Sequence, residues 1–186
     1  WHVAVHFNAS GAEAERLVDG IRAAGGTAEA LGCDLSDAAA VSRLPERAVA
    51  GAPPLGLLVN NAALFEEDRL ESLTAAQVDR HHAVNVRAPA LLSRVFAEIV
   101  GRQTAEGIEP GTDCCIVNLL DNKVFGPNPD YLSYSLTKFA LHGMTQMLAM
   151  ARAPDIRVAG ISPVVTLPSG PQSQAEFERS QASLLL

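Results

Sequence analysis

A chain of 186 residues, 48% hydrophobic and 19% charged, is long enough to form a real core, since one domain of this size buries roughly 70% of its unfolded surface. The net charge of −7 and an isoelectric point near 5.2 give no basic footprint for nucleic acid. The longest apolar stretches are strand-sized, which excludes a membrane-spanning helix. Trp1 to Phe7 has neither the basic start nor the length of a signal peptide.

In chain order, Val3 to Phe7 reads as a strand and Ala12 to Ala24 as an amphipathic helix closed by Gly25-Gly26. Thr27 to Gly32 is a second strand, Asp37 to Ala50 a helix, and Leu55 to Val59 a buried central strand. After Asn60-Asn61-Ala62, residues Leu64 to Leu70 form a loop, followed by a long helical region from Thr74 to Gly101 in which Pro89 is a point of kinking. The apolar run Cys114 to Leu120 predicts a buried strand, Tyr131 to Ala153 a long helix, and Arg157 to Ile161 a further strand. The tail from Pro163 mixes Pro, Ser, Gly and Gln before an acidic helix over Gln174 to Ser180. Short strands alternating with longer helices give an α/β fold, a parallel sheet covered by helices on both faces. No repeat or second domain is visible, so residues 1–186 read as one domain.

Cys33, Cys114 and Cys115 form no disulfide framework and no zinc spacing. They read as buried thiols of a reducing cytosol. No metal site is expected, and His81-His82, without a third ligand nearby, read as surface or supporting residues.

The chemistry concentrates in Tyr134-Ser135-Leu136-Thr137-Lys138. Positions i and i+4 share a helix face, so the Tyr134 phenol and the Lys138 ammonium can address one substrate. A phenol ionises near ~10, and an adjacent cation draws that value toward the working range. In front of this pair, in order, stand Asn60-Asn61-Ala62-Ala63, Asn85 between two valines, and the Cys114 to Leu120 run. Behind it comes Ile156 to Pro163.

That series resembles the short-chain dehydrogenase/reductase family over nearly the whole chain. The resemblance implies a doubly wound Rossmann-type sheet, a nicotinamide cofactor, Tyr134 and Lys138 as catalytic residues that also touch the cofactor, and Asn85 as support for a proton relay. It places cofactor contacts at Asp34-Leu35, at Asn61-Ala62, and at Pro163 and Thr166, with Val164 and Ala63 standing where the family usually has glycine. The turn His6-Phe7-Asn8-Ala9-Ser10 carries no acidic residue to bond a ribose 2′-hydroxyl, so His6, Asn8 and Ser10 point to NADP(H). Ser10 also suits a helix N-cap, and Asp34 a cap of the next helix. The glycine-rich phosphate turn of the family has no counterpart among these residues, nor do its last strand and helix, so both ends read as incomplete.

Where the family usually places a serine thirteen residues before the tyrosine, this chain has Asp121. A carboxylate there opposes phenolate formation and biases Tyr134 toward proton donation. An aspartate at this spacing is similar to the pteridine reductase and dihydromonapterin reductase branch. In that branch Phe65 matches the aromatic residue stacking on the pterin, so Phe65, Asp121 and Tyr134 become the expected substrate contacts. The expected activity is NADPH-dependent reduction of a dihydropterin C=N bond in a cytoplasmic enzyme. The resemblance further implies a homotetramer built on Leu91 to Val100 and Leu141 to Met150, and a substrate lid over Pro168 to Ser180. The alternatives are a general carbonyl reductase of the same fold, or a non-catalytic binding member.

Overall fold

The computed structural model describes residues 1–108, 113–164, 166 and 173–182. Every strand pairing is parallel, which forces each connection to cross over through a helix. β1 (His2–Phe7) pairs with β2 (Thr27–Gly32) in register from His2↔Thr27 to Phe7↔Gly32. A second sheet has the order β3-β4-β5, with β3 (Leu57–Asn60), β4 (Cys115–Leu119) and β5 (Arg157–Ile161). Here Asn60 stands beside Asn118, and Leu119 beside Ile161.

Helix α1 (Gly11–Ala23) links the first two strands and ends at Gly25, whose φ of +84° suits a residue without Cβ. Helix α2 (Ala38–Ala48) is capped by Asp37, whose carboxylate accepts the Ala39 and Ala40 N–H groups. Asp34 is not this cap. Its side chain accepts the Ser36 N–H at 2.8 Å in a turn of its own, because Asp37 lies where the first free helical donors point.

The helical region after Thr74 is divided. Helix α3 (Ala75–His82) opens on a capping box between Thr74 and Gln77. A wider π turn, Ala83–Arg87, leads into α4 (Ala88–Ala105). Pro89 lies in the first turn of α4, where its missing N–H leaves the Asn85 carbonyl without the usual i+4 donor and the ladder widens just upstream.

Two apolar clusters hold the layers together. One joins Leu31, Cys33 and Leu35 to Val41 and Leu44 of α2 and to Ala88 and Leu92 of α4. The other packs Phe96 and Val100 of α4 on Ile116 of β4 and on Ile156. Helix α5 (Leu132–Arg152) follows β4, and α6 (Gln174–Ala182) closes the described chain.

Against the expectation of a buried central strand, Leu57 and Val59 are 40% and 48% exposed, on an edge of β3 that pairs with no described strand and faces β1 across an open gap, the side where the resemblance places a strand with no counterpart among these residues. The expected lid over 168–180 lies partly outside the described residues; Gln174–Ala182 is helical. No described helix is long and apolar enough to cross a membrane.

Candidate active site

Parallel strands bring all their carboxyl ends to one side. Asn8, Asp34, Asn61, Asp121 and Pro163 follow β1 to β5 there, each in the irregular chain beyond its strand. Asn61 and Ala62 are exposed, as are Asn8, Ser10 and Thr166. Ser10 holds the N-cap position of α1 without a side-chain cap bond. His6 donates through Nε2–H to the Cys33 carbonyl at 2.8 Å and so ties the ends of β1 and β2. Leu35 is buried in the first apolar cluster.

Tyr134 and Lys138 lie one turn apart on the buried face of α5. The Tyr134 hydroxyl donates to Asp121 Oδ2 at 2.7 Å, while Asp121 Oδ1 accepts the Lys123 N–H at 2.9 Å. One oxygen thus shapes the turn after β4 and the other meets the phenol. Burial, and then the hydrogen bond to Asp121 and its charge, push the Tyr134 phenol far above its ordinary value. Lys138 does not reverse that direction: its ammonium is 5.4 Å from the Tyr134 ring centre and donates to the Leu119 carbonyl at 2.6 Å. Its own pKa is lowered by burial, against an opposing pull from Asp121. Tyr134 is therefore a held proton rather than a phenolate.

Asn85, in the π turn, is fully buried and spends its amide on three bonds. Its Oδ1 accepts the Leu64 N–H at 2.7 Å; its Nδ2 donates to the Leu64 carbonyl at 2.9 Å and to Thr137 Oγ1 at 3.0 Å. It joins the loop after β3 to the residue preceding Lys138. Phe65, 47% exposed, stacks on Tyr131 with ring centres 4.2 Å apart and planes 4° from parallel. It also meets Tyr134 edge-on at 4.6 Å.

Several residues of this site carry no clear signal in the sequence. Asp68, within the acidic stretch Glu66-Glu67-Asp68, reads as a solvated charge, yet its buried carboxylate accepts the Ser133 N–H at 3.0 Å and the Ser133 hydroxyl. It caps α5 from sixty-odd residues away, which relieves Tyr131, the N-cap residue, whose backbone is left-handed at φ 57°. His81 is wholly buried rather than at the surface. Lys123 bonds Asn128 and the Asp130 carbonyl and lies 5.6 Å from the Tyr131 ring centre, its pKa lowered by burial. Tyr131 does have a signal, its i, i+3 spacing from Tyr134.

The residues present fit the nicotinamide end of a dinucleotide, not its pyrophosphate, whose glycine-rich turn has no counterpart among them. Asn60 Oδ1, at the carboxyl end of β3, is a buried acceptor without a partner among the described residues. Lys138 has donors to spare beyond Leu119. Among the described residues no three His, Cys, Asp or Glu side chains gather as a metal site.

Parallel sheets with helices on both sides and a Tyr–Lys pair behind the strand ends define a Rossmann-like class of fold. The short chain dehydrogenase family model matches residues 1–178, and the chain belongs to that family. Among solved structures it is similar to FolM alternative dihydrofolate reductase 1 from Brucella canis, complexed with NADP: 38% identity, TM-score 0.88, covering 100% of this chain and 70% of that one. It is 33% identical over 159 residues to the uncharacterized oxidoreductase YjdA of Bacillus subtilis, spanning 85% of this chain but only 61% of the relative. Pteridine reductase 1 of Leishmania tarentolae is 35% identical over 123 residues, with 42% of its length covered. The chain thus spans less than two thirds of the curated relatives it matches.

Proposed function

We propose that this chain is the core of an NADPH-dependent reductase that acts on the C=N bond of a dihydropterin. The observation that carries the reading is the Tyr134–Asp121 hydrogen bond at 2.7 Å with the Phe65 ring against Tyr134. A C=N bond takes up a hydride at carbon and a proton at nitrogen. NADPH supplies the hydride when bound. The proton is the one held between Tyr134 Oη and Asp121 Oδ2, in a phenol whose acid form is favoured by burial.

Phe65 offers an exposed aromatic face for a flat heterocycle. Lys138 holds the ribose, and Asn85 steadies the residue before it. His6, Asn8 and Ser10 line the turn for the 2′-phosphate, where no carboxylate repels it. Asp34, Leu35, Asn61, Ala62, Pro163 and Thr166 complete the cofactor contacts. The similarity to FolM and to pteridine reductase 1 supports the same substrate class. We place the enzyme in the cytoplasm, where its free thiols suit a reducing medium, and read it as a homotetramer.

The test is the full-length protein assayed with NADPH and with NADH against a dihydropterin, dihydrofolate and a small diketone side by side, for wild type and Asp121→Ser. NADPH and the dihydropterin should be preferred by the wild type, and the variant should lose most dihydropterin turnover while keeping or gaining diketone turnover. An unchanged substrate ratio makes Asp121 structural and replaces this reading with a general carbonyl reductase.

A further inference from the structure

We propose that Leu64 to Asp68 is an arm that presents the Phe65 ring to the substrate, with His81 and Asp68 as its positioning residues; the proposal rests on the pterin reading above. Burial alternates along the arm. Leu64 and Glu66 are partly covered and Asp68 is buried, whereas Phe65 and Glu67 are exposed, the period of an extended chain, although the Glu66 carboxylate reaches out to Arg80. Each inward residue is fastened by a buried polar side chain. Asn85 holds the N–H and carbonyl of Leu64. His81 Nε2 accepts the Glu66 N–H at 3.3 Å, and its Nδ1, 2.9 Å from the Gln77 carbonyl, is the nitrogen that carries the proton. Asp68, 1% exposed, reaches Ser133, and its carbonyl accepts the Leu132 N–H at 3.3 Å.

A buried imidazole and a buried carboxylate are costly unless partnered. His81 spends one bond on the arm and Asp68 ties the arm to α5, and neither bonds the Tyr134–Asp121 pair. What they have in common is the residue between them. With residues 64, 66 and 68 pinned, Phe65 has one place to be: parallel to Tyr131 and edge-on to Tyr134. Because Asp68 is fastened one residue before Tyr134, the ring platform and the proton donor are set by the same turn of α5.

A loose arm should cost binding of a flat ring and leave small substrates untouched. The experiment compares His81→Leu and Asp68→Ala with His81→Gln and Asp68→Asn in the full-length protein, reading KM and kcat for a dihydropterin and for a small diketone. Amide hydrogen exchange over residues 61–70 is measured in parallel. His81→Leu and Asp68→Ala should raise KM for the dihydropterin about tenfold, the order of one lost hydrogen bond. The kcat and diketone KM of His81→Leu should hold, and the Gln and Asn variants should recover most of the loss; Asp68→Ala, which also uncaps α5 just before Tyr134, should lower kcat on both substrates besides. Equal losses on both substrates in His81→Leu, or none, overturn the proposal. If wild type does not reduce the dihydropterin, the pterin reading fails separately, and the arm is then judged by exchange alone. Faster exchange over 61–70 in both variants, with α4 unchanged, upholds it; unchanged exchange overturns it.

Discussion

In the proposed reaction the chemistry turns on Tyr134, whose hydroxyl meets the Asp121 carboxylate and whose ring meets Phe65. Tyr134→Phe keeps the ring packing and removes the proton, so turnover should fall by about 10² to 10⁴ while cofactor affinity is retained. Steady-state kinetics with a separate cofactor titration checks both halves. The direction of the phenol's pKa makes a second expectation. It is raised on folding, so the stability it contributes is fully present below the unfolded value near ~10 and is lost only as pH climbs through the higher folded value. Ultraviolet titration of the folded protein near pH ~10 should therefore look the same for wild type and Tyr134→Phe, and a missing phenolate signal in the variant at that pH would sink the assignment. At this scale the Tyr134–Lys138 pairing was legible because helix spacing is a local fact, whereas Asp121 stood out only through the resemblance, which usually has a serine there. Asp68 and His81 were not, because their partners, Ser133 and Glu66, are set by tertiary contacts that no local pattern records.

Between elements, a relay of buried amides crosses from strand to strand to helix. Asn60 Nδ2 donates to Asn118 Oδ1 at 2.8 Å, and Asn118 Nδ2 donates to Thr145 Oγ1, also at 2.8 Å, fastening β3 to β4 and β4 to α5. Asn118→Ala leaves Asn60 Nδ2 without its acceptor and Thr145 without its donor. The loss should be about 1–3 kcal/mol for the stranded polar groups, read as a lower midpoint in urea with an unchanged slope. A midpoint equal to that of wild type would mean that the relay adds nothing. The strands themselves were legible, with Thr27–Gly32 and Arg157–Ile161 matching the sequence reading at both ends, since apolar runs bounded by turn residues are a strong local signal. The amide inside Val117-Asn118-Leu119 was also visible, but not its partners. The division of the helical region at Ala83–Arg87 was not legible, because Pro89 announces a disturbance without saying on which side the ladder opens.

Across the whole molecule, the layers fix which surfaces stay uncovered. The alternation of strands and helices was enough to read the parallel, two-faced architecture. The outer face of α5 is an uncovered surface. Leu136, Phe139, Met147 and Met150 recur at intervals of three, eight and three residues, close to whole turns, and all are exposed, Met150 to 84%. Gly143, with open space around it, sits between them and allows a second helix to approach closely. The inward face of the same helix packs through Tyr134, Lys138, Leu141 and Thr145, so the outer stripe is not needed for the core. An apolar stripe of this kind, on a helix rigidly tied to the active site, suits a symmetric contact with the same face of a second copy. Sedimentation should find the protein as a multiple of its chain mass. Met147→Glu, placed mid-stripe, should shift it toward the monomer without changing its circular dichroism, because a buried like-charge pair across a two-fold contact is costly and an exposed glutamate on a monomer is not. A wild-type monomer at the highest concentrations, or an undiminished oligomer in the variant, would show that copies do not meet through α5.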